Sequence, residues 1–322
     1  MIKTVAKIFL ISTVFTCVIF AQNNYTVKTN LSSNNIETER TITVSVIKNG
    51  KNLYSISKTL LPYYSIPQAI VFENGNLILL HSLEGTLEFY NSDKGLIAKK
   101  GNLITSLYDE HKILFSQTAT EIALLISENN ENKIVIYNSA GELLFSENTE
   151  KGIANGIVLS NENNKLATSL YNWGNNKIIS KTFIIDLSKN QTDEFPILFK
   201  QGFFNKSGDL FCGFTNNKFF NIDLLKEEII LTKNMPDNKI LMDVQVNKQN
   251  TYYIEATTPK LIKGIWKYNS AEVLKIDKNN KTKVVKKITD SFSNIHFRKG
   301  KSQSLKKGTN EGFSVEIIPY LN

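Results

Sequence analysis

The chain has 322 residues, of which 41% are hydrophobic and 10% aromatic, and a formal net charge of +8. That apolar share excludes a disordered chain, and 16 glycines with 6 prolines exclude a collagen-like or low-complexity one. Only two cysteines occur, Cys17 and Cys212, which excludes a disulfide framework and leaves core burial as the source of stability.

The chain opens on MIKTVAKIFLISTVFTCVIFAQNN. Lys3 and Lys7 precede an apolar run, Ile8–Phe20, that is short of the roughly 20 residues a bilayer span requires. Ala21, two residues after Ile19, offers a cleavage site before Gln22. Residues 1–21 are therefore expected to be a signal peptide and residues 22–322 one exported domain, destined for a periplasm, a cell surface or the medium. An uncleaved anchor and a lipid on Cys17 are the alternatives. No later stretch is apolar and long enough for a transmembrane segment. Loss of the leader, with two lysines and no acid, lowers the net charge by two.

Short runs of Ile, Leu, Val, Phe, Tyr and Thr then alternate with Asn, Gly, Ser, Asp and Lys, which is the pattern of strands and turns. YTVKTN (25–30) stands alone at the start. TITVSVIK and NLYSISK flank Asn49-Gly50. QAIVF, LILLH, TLEFY and LIAKK form a group of four. KILFSQ, EIALLIS, KIVIYN and ELLFSE form the next, with Asn138-Ser139-Ala140-Gly141 as the turn of its last hairpin. TFIIDLSKNQ belongs to a looser copy. QGFFNKS, DLFCGF, KFFNID and EIILTK follow, and VLKIDKNNKTKVV closes the last full unit. SNIHFRK (293–299) and SVEIIPYL (314–321) end the chain. Anchors at Ile47, Tyr90, Tyr137, Ile185, Ile222 and Ile276 recur every 37 to 54 residues, near the ~40–50 of one propeller blade.

These repeats predict an all-β fold: a single β-propeller of four-stranded antiparallel blades, six by this count, with seven as the alternative. N-terminal and C-terminal strands would share a blade and close the ring. The chain resembles the broad group of exported WD40-like β-propeller proteins in period and strand order. It lacks their Gly-His and Trp-Asp signatures, and Trp266 is followed by Lys267. The resemblance implies a binding or scaffold module more often than an enzyme.

Chemistry-bearing motifs are few. His81, His111 and His296 lack the spacing of a zinc site, and no phosphate loop, nucleophile elbow or calcium loop occurs. No cofactor is expected. The loop before each first strand and the loop between second and third strands would open on one face. There the sequence places Tyr63, Tyr64 and Trp173, large aromatics suited to contact a protein, peptide or glycan. Asp109, Glu110 and His111 form the one acid–acid–imidazole cluster. They are the alternative site, for a hydrolase or lactonase using Ca²⁺ or Zn²⁺. The basic run Lys281–Lys307 carries no recognised nucleic-acid motif, so no nucleic-acid partner is expected. Cys212, within LFCGF, is expected to be a buried thiol.

Overall fold

A computed structural model describes residues 25–32, 35–105, 110–160, 162, 164–174, 177–247, 250–262, 265–277, 279–289 and 291–297, and the backbone of 315–318. The expected signal peptide and Asp109 lie outside the described residues. No helix occurs among the described residues.

The first sheet is three-stranded: β1 (Tyr25–Leu31), β2 (Arg40–Lys48) and β3 (Lys51–Leu60). Four-stranded meanders follow in chain order. The second sheet is β4 (Gln68–Val71), β5 (Leu77–His81), β6 (Thr86–Asn91) and β7 (Gly95–Lys100). The third is β8 (His111–Gln117), β9 (Glu121–Glu128), β10 (Glu131–Asn138) and β11 (Leu143–Thr149). The fourth is β12 (Ile153–Leu159), β13 (Lys165–Gly174), β14 (Lys177–Asp186) and β15 (Gln191–Phe195). The fifth is β16 (Gln201–Phe204), β17 (Leu210–Phe214), β18 (Lys218–Asp223) and β19 (Glu228–Asn234). The sixth begins with β20 (Lys239–Val246) and β21 (Thr251–Thr257). A separate hairpin, β22 (Lys260–Ile262) and β23 (Ile265–Lys267), interrupts it before β24 (Ala271–Ile276) and β25 (Thr282–Ile288) complete it. β26 (Asn294–Phe297) pairs with β27 (Val315–Ile318).

The chain divides into two compact units. One holds residues 1–113, 119–121 and 136–146; the other holds 114–118, 122–135 and 147–322.

In the first unit, β2 alternates cleanly. Ile42, Val44 and Val46 are buried while Thr41, Thr43 and Ser45 point away, the two-residue period of a strand with one covered face. The hairpin to β3 turns at Asn49 (φ 53°) and Gly50 (φ 79°), the two left-handed residues a tight turn needs. Tyr25, Ile42, Val44, Val46 and Leu60 form one core with Ala69, Val71, Leu77, Leu79 and Tyr90 of the second sheet. Each fully buried Ile, Leu or Val there contributes about 1.5–3 kcal/mol.

In the second unit, Ala167, Ile184 and Phe199 pack against Phe211, Phe220 and Ile222 between the fourth and fifth sheets. Phe199 and Phe211 meet edge to face at 5.1 Å. Cys212, Phe214 and Phe219 pack against Leu241, Val244 and Tyr253 between the fifth and sixth. Cys212 is buried, as its sequence context indicates. The next layer places Ile254, Ala256 and Val273 against Ile295 and Phe297.

The chain ends differ in detail from expectation. Tyr25–Leu31, left over in the sequence pattern, is a full partner of β2 along seven residue pairs. The two C-terminal segments pair in parallel rather than antiparallel. Parallel pairing requires a crossover connection rather than a hairpin loop.

Candidate binding surface

In the first unit, Tyr63 and Tyr64 sit on the segment between β3 and β4. Tyr63 is 69% exposed and adopts a left-handed backbone, φ 65°, uncommon for a bulky residue. Its N–H donates to the Ile36 carbonyl at 2.9 Å. The buried Arg40 guanidinium donates to the Tyr64 carbonyl. One residue on, the Ser65 N–H and hydroxyl donate to the two Glu84 carboxylate oxygens at 2.6 and 2.7 Å. Arg40 and Glu84 thus pin the backbone while the Tyr63 ring stands in solvent. Sequence reasoning named neither. Arg40 opens a strand whose face is otherwise apolar, and that mismatch was the available signal.

The acid–imidazole cluster is only partly on view. Glu110 is exposed and His111 is half-buried at the start of β8. Among the described residues, no group of three or more His, Cys, Asp or Glu side chains is gathered closely enough to hold a metal ion.

A different carboxylate–imidazole pair does form in the first unit. Glu88 is buried on β6, with Lys58 Nζ 2.5 and 2.6 Å from its two oxygens. The Tyr90 hydroxyl donates to it at 2.9 Å, Lys99 Nζ lies at 3.3 Å, and the buried His81 ring lies 3.6 Å away. Burial alone would raise this carboxyl. The facing His81, Lys58 and Tyr90 overcome that and hold it well below the usual carboxylate range. The same burial, with Glu88 alongside, pushes the Tyr90 phenol above its ordinary value. Both Glu88 and His81 are enclosed, so the cluster joins sheet to sheet and offers a ligand little access.

In the second unit, β13 and β14 run on well past β12 and β15. Trp173, 70% exposed, pairs across the hairpin with Ile178, which is 53% exposed. The hairpin is tied at its base: the Asn172 side-chain amide donates to the Lys151 carbonyl at 2.7 Å. A second hairpin projects from the sixth sheet, where Leu261 and Trp266 form the corresponding cross-strand pair, also exposed. This hairpin was not among the sequence expectations. The signal was KLIKGIWK, the apolar pairs Leu261-Ile262 and Ile265-Trp266 about Lys263-Gly264.

Both hairpins join the second and third strands of their sheets, so both leave the same end of those meanders as the loops into the first strands. Hydrogen bonds agree: the Leu241 N–H donates to the Asn216 carbonyl and the Thr258 hydroxyl to the Asn238 carbonyl. Between the fifth and sixth sheets, a shallow cavity of about 150 Å³ opens at this end. Lys200, Gln201, Asn216, Met242 and Tyr268 are among its lining residues.

No protein-family model and no curated protein matches the sequence. Solved structures do. A chain of the mitotic checkpoint complex has a TM-score of 0.51 at 9% identity, over 83% of this chain and 75% of that one. A eukaryotic initiation factor has 0.50 at 12% identity, over 82% of this chain and 63% of that one. Hydrazine synthase of Kuenenia stuttgartiensis has 0.46 at 9% identity, over 69% of this chain and 66% of that one, so the chain spans just under two thirds of its length. The likeness to the first two supports the fold alone: an all-β chain of WD40-like β-propeller type built from four-stranded antiparallel sheets.

Proposed function

We propose that the chain is an exported, non-enzymatic β-propeller, each of the six large sheets among its described residues serving as one blade, that binds a protein, peptide or glycan through its loops. The observation that carries this reading is Trp173, 70% exposed on a hairpin that extends beyond its sheet and is anchored at the base. A large aromatic held in water by a fixed backbone provides contact area with little ordering cost. Tyr63, exposed on a segment pinned by Arg40 and Glu84, supplies a second such group on the first unit.

The test is capture of partners from cell-envelope extract by the wild-type chain and by a Tyr63→Ala/Tyr64→Ala/Trp173→Ala variant. The variant should lose most captured material while its thermal midpoint stays within a few degrees. Equal capture by both proteins would remove these residues from the site.

A further inference from the structure

The two tryptophans of the chain, Trp173 and Trp266, occupy equivalent places. Each lies on a hairpin between second and third strands, each is at least 60% exposed, and each faces an exposed aliphatic partner, Ile178 or Leu261. Ile179 and Ile262 add further exposed apolar surface to the same hairpins. The charge on them has one sign. Lys177, Lys260 and Lys267 flank the apolar pairs, and no Asp or Glu occurs from 165 to 185 or from 256 to 271.

That combination discriminates among partners. Protein interfaces are enriched in Trp but depleted in lysine, so the tryptophans suit a protein partner while the flanking lysines point to an anionic surface as well. Recognition of a small polar ligand needs placed polar groups to fix its orientation, and here each Trp is paired with an aliphatic side chain. A membrane surface wants what these hairpins present: Trp at headgroup depth, aliphatic side chains below it, and lysines toward anionic headgroups. We infer that the second unit docks on an anionic lipid bilayer through the Trp173 and Trp266 hairpins, a partner class beyond those proposed above.

The chain carries its own reporters, because all tryptophan emission comes from these two hairpins. The full chain would be mixed with phosphatidylcholine vesicles, with and without phosphatidylglycerol, and followed by emission and by co-sedimentation. Anionic vesicles should shift the emission to the blue and sediment the protein. The single-tryptophan variants Trp173→Phe and Trp266→Phe should each show the shift. A Lys177→Gln/Lys260→Gln/Lys267→Gln variant should partition about a hundredfold more weakly at low salt, at roughly fivefold per lysine. The apolar run Ile8–Phe20 is common to all these proteins and contains no tryptophan, so it cannot produce these differences.

Unchanged emission, a shift from only one hairpin, or equal partitioning of the lysine variant would overturn the inference. So would capture of a protein or glycan that Trp173→Ala abolishes while vesicles have no effect. That last result would leave the binding reading of the previous section standing and remove only the lipid.

Discussion

Glu88 shows what a single buried charge does in this fold. It occupies a core-facing position of β6, between Thr86 and Tyr90, where the strand pattern calls for an apolar side chain. It is stable there because Lys58 reaches both its oxygens and Tyr90 donates a third hydrogen bond. Glu88→Gln should destabilise the protein by roughly 2–3 kcal/mol at neutral pH. That is below the ~3–5 kcal/mol for a fully buried pair, because the Lys58 side chain is 30% exposed and can rehydrate. The folded carboxyl titrates below its ordinary value, so its contribution is complete above the usual carboxylate range and is lost as pH falls beneath it. Urea unfolding at neutral and at strongly acid pH should show the gap between wild type and variant closing in acid; a gap constant with pH would refute this account. Two glycines make a sharper comparison. Gly50 and Gly141 both have positive φ, but a Cβ at Gly50 meets nothing within 4 Å, whereas one at Gly141 would sit 2.7 Å from the Ala98 Cβ and 3.0 Å from the Phe89 ring. Gly50→Ala should cost about 1 kcal/mol from the backbone alone, and Gly141→Ala about 2–4 kcal/mol as overpacking adds to it. Equal losses would show that the contact relaxes freely.

Strands and turns were the most legible level, because a two-residue apolar period and Asn-Gly chemistry are local. The stretch 133–145 is a hairpin as read: the Asn138 N–H donates to the Glu142 carbonyl, and the Asn138 side chain accepts from the Ala140 and Glu142 N–H groups. Tyr137 is buried 5.9 Å from Phe89 and is a packing residue. Contacts between distant elements were not legible. Lys58 and Glu88 belong to different sheets, 30 residues apart, and nothing in either segment announces the other. The same holds for Arg40 with Tyr64 and for Ser65 with Glu84. The second exposed hairpin was hidden because three-residue strands are too short for a period to emerge. Exposure also separates function from stability along an element. Trp173→Ala should change stability by less than about 1 kcal/mol, the scale of one exposed cross-strand pair. Phe211→Ala, fully buried among Phe199, Phe204 and Phe220, should cost about 3–5 kcal/mol. Thermal unfolding of the two variants side by side tests whether the hairpin stands outside the fold's stability.

Within each unit, stability rests on sheets covered by a neighbouring sheet, with no disulfide among the described residues to tie them. In the second unit this continuity runs from Ala167 through Phe211 and Cys212 to Ile254 and Phe297. A stack of this kind loses its cover on both sides when one sheet opens, so its core should expose itself together. Cys212 is placed to report that event, fully buried in the middle sheet between Phe214, Phe219 and Tyr253. A thiol reagent has no route to it in the folded protein. In a Cys17→Ser background, labelling of Cys212 across a urea titration should follow the loss of far-UV β signal with one midpoint. Tryptophan emission should hardly change over the same range, since both indoles are already 60–70% exposed in the folded chain. Labelling that precedes the loss of β signal would mean that the fifth sheet opens by itself. A large emission change on unfolding would mean that Trp173 or Trp266 is covered in the native state, and would remove the exposed aromatic surface on which both the binding and the lipid readings depend.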